Sequence, residues 1–92
     1  IKLIVVHNVQ RLSLQKHKFR SEHWIVVKGL ASVEIENRTL EIESNNSTYI
    51  NAGELHRLSN KTNKELIVIE VQTGSYFGED DIIRIDDDYS RK

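Results

Sequence analysis

Apolar residues in this chain recur with a period of two or run in bursts of about four, and nowhere do they sustain the i, i+3, i+4 spacing of a helix beyond one or two turns. Val33, Ile35, Leu40, Ile42 and Ile50 alternate with polar or charged neighbours, which turns one side of each segment to a core and the other to solvent. This pattern predicts an all-β protein. The expected strands are Lys2 to Val6, Arg11 to Lys18, Glu22 to Lys28, Ala31 to Glu36, Thr39 to Glu43, Ser47 to Ile50, His56 to Ser59 and Lys64 to Thr73. Asn37-Arg38, Asn45-Asn46, Ala52-Gly53 and Asn60-Lys61-Thr62-Asn63 separate them, and these are the residue types that turns require. Short strands at such spacing suit a sandwich or a small barrel.

A chain of 92 residues accommodates one such domain. A domain of this size buries only roughly 60 to 65% of its unfolded surface, so a closed barrel, a bound metal or a partner subunit would each help it persist. Thirteen basic residues against fourteen acidic ones leave a net charge of -1, with no excess to neutralise a phosphate backbone, so nucleic acid is not an expected partner. Aliphatic runs such as Leu3 to Val6 are too short for a bilayer span or a signal-peptide core, and the expectation is a cytoplasmic protein without a membrane partner. The chain has no Met and starts at Ile1 in mid-strand, which is the expectation for a single domain, residues 1–92, cut from a longer protein.

With no cysteine, any metal must take nitrogen and oxygen ligands. Gln15 and His17 are two residues apart and point the same way on an extended strand, while Glu22 and His56 can reach them from neighbouring strands. The set is two histidines, a glutamate and a glutamine, an open arrangement that suits zinc, with manganese, cobalt or iron as alternatives. Glu22 and Trp24 share a face, so His23 is expected to turn away from the metal into a packed, supporting position. His7 reads as structural. From Gly78 to Tyr89 the chain becomes acidic, which suggests either a solvated tail or a single helical turn that covers the barrel mouth.

The spacing of these residues carries a resemblance. His17, four residues, Glu22, six residues and Gly29 are followed by Gly53, two residues, His56, three residues and Asn60. This resembles the paired motifs of the cupin superfamily, with Gln15 where many cupins have histidine, and it implies a double-stranded β-helix, or jelly-roll barrel, closed by a short acidic segment. Further residues narrow the likeness: Leu12-Ser13-Leu14-Gln15, Arg20, Glu22-His23-Trp24, His56-Arg57-Leu58, Ile69-Glu70-Val71-Gln72-Thr73-Gly74 and Tyr76-Phe77-Gly78-Glu79-Asp80-Asp81-Ile82. Together they resemble the C-terminal domain of type II phosphomannose isomerases, which usually follows a guanylyltransferase domain that makes GDP-mannose. The chain departs from that family at Asn51 and at the Asn60-Lys61 junction, where prolines are common, and at Lys18 and Phe19, where histidines often stand.

The resemblance implies interconversion of mannose 6-phosphate and fructose 6-phosphate through a cis-enediol. That chemistry needs a Lewis acid at the carbonyl, a base and a cation for the phosphate. The resemblance assigns the metal to Gln15, His17, Glu22 and His56 and the phosphate to Arg20, on the turn between ligand strands, and to Arg84. It leaves Glu79 and Asp80 as candidate bases, with Glu70 and Gln72 together on one face of the last long strand. The main alternative is a non-catalytic sugar-binding or dimerisation module, while Gln15 in place of histidine and the Arg20, Glu22-His23-Trp24 context argue against a different metal cupin such as a dioxygenase. A homodimer is expected, because a small barrel gains by covering its edge strands.

Overall fold

The computed structural model describes residues 1–86. Ten strands and one short 3-10 turn follow one another: β1 (Lys2–Val6), β2 (Gln10–Arg11), β3 (Leu14–His17), β4 (Arg20–Lys28), β5 (Ala31–Ile35), β6 (Arg38–Ile42), β7 (Ser47–Ile50), β8 (His56–Asn60), β9 (Leu66–Gly74), the turn Glu79–Asp81 and β10 (Ile82–Asp86). They form two sheets in which every pairing is antiparallel. One runs β1-β9-β4-β7; the other runs β10-β3-β8-β5-β6, with β2 also pairing β8.

Two expectations change. The strand expected from Arg11 to Lys18 is divided, because β2 pairs with β8 through Gln10 and Arg11 while β3 reaches β8 only at Gln15 opposite His56. The acidic close is more ordered than a tail or a helical turn: Ile82–Asp86 is a strand that pairs with β3, with Ile82 opposite His17 and Arg84 opposite Gln15. The β-branched residues Ile82, Ile83 and Ile85 supply the strand preference that the surrounding acidic residues obscure. Asp87, Asp88 and Tyr89 of that segment lie outside the described residues.

Trp24, Val26, Leu66 and Val68 of the first sheet meet Ala31, Val33, Ile35 and Leu58 of the second, and Val6 and Ile50 complete the buried core. Along β4 the inward positions are Arg20, Glu22, Trp24 and Val26, which pass from charged to apolar. On antiparallel β9 they run the other way, Leu66, Val68 and then Glu70, and the register sets Trp24 beside Glu70 and Val26 beside Val68. Val26 thus meets Val68 and Glu22 meets Gln72, with Trp24 and Glu70 at the boundary, and the barrel divides into an apolar end and a polar end. Each fully buried Val, Leu or Ile contributes about 1.5 to 3 kcal/mol, so the apolar end carries the fold and the polar end is free to hold chemistry.

Two buried polar side chains stitch the connections. Arg57 donates to the Leu12 carbonyl and to Asp86 on β10, and Asn60 donates to the carbonyls of Val6 and Lys64. Gly29 makes the β4–β5 turn at φ 92°, in the left-handed region, where a Cβ would lie 2.6 Å from the Glu65 carbonyl oxygen. A side chain there meets both backbone strain and a backbone atom that cannot move aside. Gly29→Ala is expected to cost about 1 to 3 kcal/mol, read as a lower urea midpoint with an unchanged slope; an unchanged midpoint would refute the argument.

Candidate metal centre

At the polar end, alternation brings together side chains far apart in sequence. His17 ends β3, Glu22 lies early in β4 and His56 opens β8, each no more than 3% exposed. His17 Nε2 is 3.7 Å from Glu22 Oε2, His56 Nε2 is 3.7 Å from Glu22 Oε1, and one donor atom from each of the three residues lies within 4.8 Å of the other two. The two imidazoles stack with ring centroids 5.1 Å apart. Gln15 lines the same cavity, of about 250 Å³, and its amide donates to Ser13 Oγ at 2.9 Å.

The donor chemistry fits a divalent cation. His56 Nδ1 lies 2.9 Å from the Glu54 carbonyl, an acceptor, so Nδ1 carries the proton and Nε2 presents a lone pair to the cluster. Arg20 can only donate, so His17 Nε2, 2.9 Å from Arg20 Nη2, is likewise a lone pair. Burial, and then the positive charge of Arg20, pulls His17 down to about 3, and burial also lowers His56, so both rings are neutral at ordinary pH. Glu22 is pushed up to about 7 by burial and then by the Glu70 carboxylate, against the pull of Arg20. A carboxylate so poor in compensating charge is one that a cation would stabilise.

Beneath the cluster, the Trp24 indole N–H is shared between Glu22 Oε1 and Glu70 Oε1, both at 3.1 Å, and Gln72 donates to the other Glu70 oxygen at 2.7 Å. Glu70, 5% exposed and on the cavity wall, is a member of the site that sequence reasoning left as one of a pair on a strand face. The usable signal was its place in the inward alternation Leu66, Val68, Glu70. His23 faces outward, as expected, but there it stacks on Tyr49, with ring centroids 4.0 Å apart and the rings nearly parallel. His7 is exposed, just past β1.

Arg20 is not on the turn between the ligand strands. That turn is Lys18 and Phe19, and Arg20 is the first residue of β4, where alternation sends it inward with Glu22. Its Nε donates to Glu22 Oε2 at 3.0 Å, Nη1 donates to the Phe77 carbonyl at 3.3 Å, and Nη1 is 3.8 Å from Glu79. Glu79 stands at the cavity mouth, with its side chain 68% exposed and 3.7 Å from Lys2 Nζ, and Arg84 also lines the cavity. Asp80 is drawn elsewhere: it accepts the Tyr76 hydroxyl and is not part of the cavity wall.

The acidic run holds a third role that sequence reasoning missed. Asp81 accepts the backbone N–H groups of Lys18 and Phe19 at 3.0 and 2.9 Å, which pins the start of β10 to the β3–β4 turn. From the other side the Gly53 N–H, on a residue with φ 86°, donates to the His17 carbonyl at 2.6 Å. The backbone that carries His17 is thus held by the second motif and by the closing segment together.

These features define a β-barrel whose polar end is a candidate metal centre, and comparison with solved structures agrees on the fold. A predicted oxalate decarboxylase from Thermotoga maritima superposes with a TM-score of 0.75 at 18% identity, over 79% of this chain and 64% of the other. A sugar phosphate isomerase of the cupin superfamily from Silicibacter pomeroyi superposes with a TM-score of 0.71 at 18% identity, over 84% and 54%. The domain has the cupin, double-stranded β-helix fold. Residues 1–87 match the family described as mannose-6-phosphate isomerase C-terminal, and the chain belongs to that family.

The alginate biosynthesis protein AlgA of Pseudomonas aeruginosa is 50% identical over 91 residues, which is 99% of this chain and 19% of the relative. A mannose-1-phosphate guanylyltransferase of Sinorhizobium fredii is 49% identical over 88 residues, 96% of this chain and 17% of the relative. The chain therefore spans about a fifth of the length of the relatives it matches. Among the described residues no helix is long and apolar enough to cross a membrane.

The clamp on the ligand strand is open to test. Asp81→Ala is expected to leave the Lys18 and Phe19 amides without their acceptor, so that both exchange with deuterium faster and the melting temperature falls by several degrees. Protection of those two amides equal to the parent's would show that Asp81 does not hold the turn.

Proposed function

We propose that this domain is a mannose-6-phosphate isomerase, which interconverts mannose 6-phosphate and fructose 6-phosphate in the supply of GDP-mannose. The observation that carries the reading is the buried His17, Glu22 and His56 cluster on a cavity that also holds arginines, in a chain matching the isomerase family from residue 1 to 87. The guanylyltransferase named among its longer relatives supports the pathway and a fusion to such a domain. A substrate of this kind places the reaction in the cytoplasm.

In this reading His17, Glu22, His56 and Gln15 hold a divalent ion, zinc in the first place, with manganese, cobalt or iron as alternatives. Such an ion supplies Lewis acidity for a carbonyl oxygen and for the negative charge of an enediolate. The chain's own residues do the rest. Arg20 and Arg84, on the cavity wall, offer guanidinium N–H groups to the sugar phosphate. Glu79, at the mouth, is the candidate to move the proton between C1 and C2, and Asp80, away from the wall, drops out of that role. Trp24 and Glu70 below the cluster fix the orientation of the Glu22 carboxylate.

The test uses the 92-residue chain loaded with zinc or manganese and assayed for fructose 6-phosphate formation from mannose 6-phosphate. Activity is expected. His17→Ala and His56→Ala should each abolish metal retention, measured by elemental analysis, and activity with it, while the far-ultraviolet circular dichroism stays that of the parent. Full activity in the metal-stripped double variant would sink the assignment, and silence of a folded, metal-loaded chain would favour a non-catalytic sugar-binding module.

We also infer a homodimer. The edge strand β1 pairs only with β9 among the described residues, and Leu3 and Val5 on it are 67% and 43% exposed. A row of free backbone N–H and C=O groups beside apolar side chains is self-complementary across a two-fold axis. Light scattering is expected to return twice the chain mass for the parent and the single chain mass for Val5→Lys; a monomeric parent would overturn the inference.

A further inference from the structure

The guanidinium of Arg20 rests on the atoms that a cation in the cluster would use. Nη2 is 2.9 Å from His17 Nε2 and 3.0 Å from Glu22 Oε2, and Nε donates to the same carboxylate oxygen at 3.0 Å. Its side chain is 2% exposed, so these contacts are made out of water. A ring nitrogen has one lone pair, and a guanidinium never gives up its charge. Arg20 and a divalent ion therefore compete at His17 Nε2, and they repel each other at Glu22.

The other side of the same guanidinium already reaches outward. Nη1 donates to the Phe77 carbonyl at 3.3 Å and is 3.8 Å from Glu79, at the mouth of the cavity. Lys2 adds positive charge there, 3.7 Å from Glu79. Arg20 thus has two sets of partners: an inner set, which a cation also wants, and an outer set, where an anion would enter.

We propose that Arg20 couples the metal cluster to an oxyanion at the cavity mouth. A cation displaces the guanidinium from His17 and Glu22 toward Phe77 and Glu79, and a phosphoryl group or other tetrahedral oxyanion at the mouth then holds it there. Both ligands favour the same arginine position, so they bind with positive cooperativity, and linkage makes the enhancement reciprocal. The inference rests on the reading of His17, Glu22 and His56 as cation ligands, and adds to it that the anionic group of the substrate tightens the metal.

The test is a Co²⁺ titration of the 92-residue chain, followed by its visible absorption, in chloride and in sulfate at matched ionic strength. Sulfate is expected to raise the Co²⁺ affinity of the parent about fivefold or more. Arg20→Met should bind Co²⁺ more tightly than the parent in chloride and lose the sulfate effect. Arg20→Lys, which keeps a charge but cannot fork onto two acceptors, should fall between them and serves if the Met variant is not folded by circular dichroism. Folded Arg20→Met that binds Co²⁺ no more tightly than the parent, or that keeps the sulfate effect, overturns the coupling. His56→Ala separates the two readings: Co²⁺ binding that is lost there but indifferent to Arg20 sinks the coupling alone. Failure of the parent and both Arg20 variants to bind Co²⁺ sinks the metal site and the coupling with it.

Discussion

A carboxylate buried at the polar end of the barrel is the constraint around which the rest is arranged. Glu22 is 2% exposed and has a second buried carboxylate, Glu70, beside it. Such a pair is strongly disfavoured unless every oxygen finds a donor or a cation. The Trp24 indole N–H between the two carboxylates and the Arg20 guanidinium are that compensation. Moving one of these groups exposes the cost of the others, so the site is rigid as long as no cation replaces Arg20 at Glu22.

That rigidity is set on backbone held from three directions. β4 lies at the middle of its sheet, between β9 and β7, and so Glu22 and Trp24 cannot shift register without moving two neighbours. His17 is less secure on one side, since β3 pairs along β10 but touches β8 only at Gln15, and Gly53 and Asp81 bind the chain at and just after His17. The weaker the sheet pairing of a ligand strand, the more the loops around it are used as fasteners. The same division appears in the second motif, where His56 faces the cluster and Asn60 spends its amide on the Val6 and Lys64 carbonyls.

Strand period made much of this legible in advance. Because side chains alternate, the inward sets Gln15 and His17, Glu22 and Trp24, and the outward turn of His23 could be read from spacing alone. The structure brings one candidate donor atom each of His17, Glu22 and His56 within 4.8 Å of one another, with Gln15 on the wall of the same cavity. What could not be read was where a charged side chain spends its hydrogen bonds. Arg20 looked like a turn residue and is the first residue of β4, packed against His17 and Glu22; Asp81 looked like one more acidic residue and is a backbone clamp. Strand β10 was hidden because its three isoleucines lie within a run dense in Asp.

By itself the sequence determined the all-β class, which residues of a strand share a face, and the identity of the candidate ligands. These depend on a local period of two, and a local period is written in neighbouring residues. Only the tertiary structure decided which carboxylates share a donor, which cation sits on which lone pair, and which member of the acidic run faces the cavity. Those outcomes turn on distances of about 3 Å between residues that are up to 63 positions apart, and electrostatic interactions at that range answer to geometry and burial rather than to sequence order.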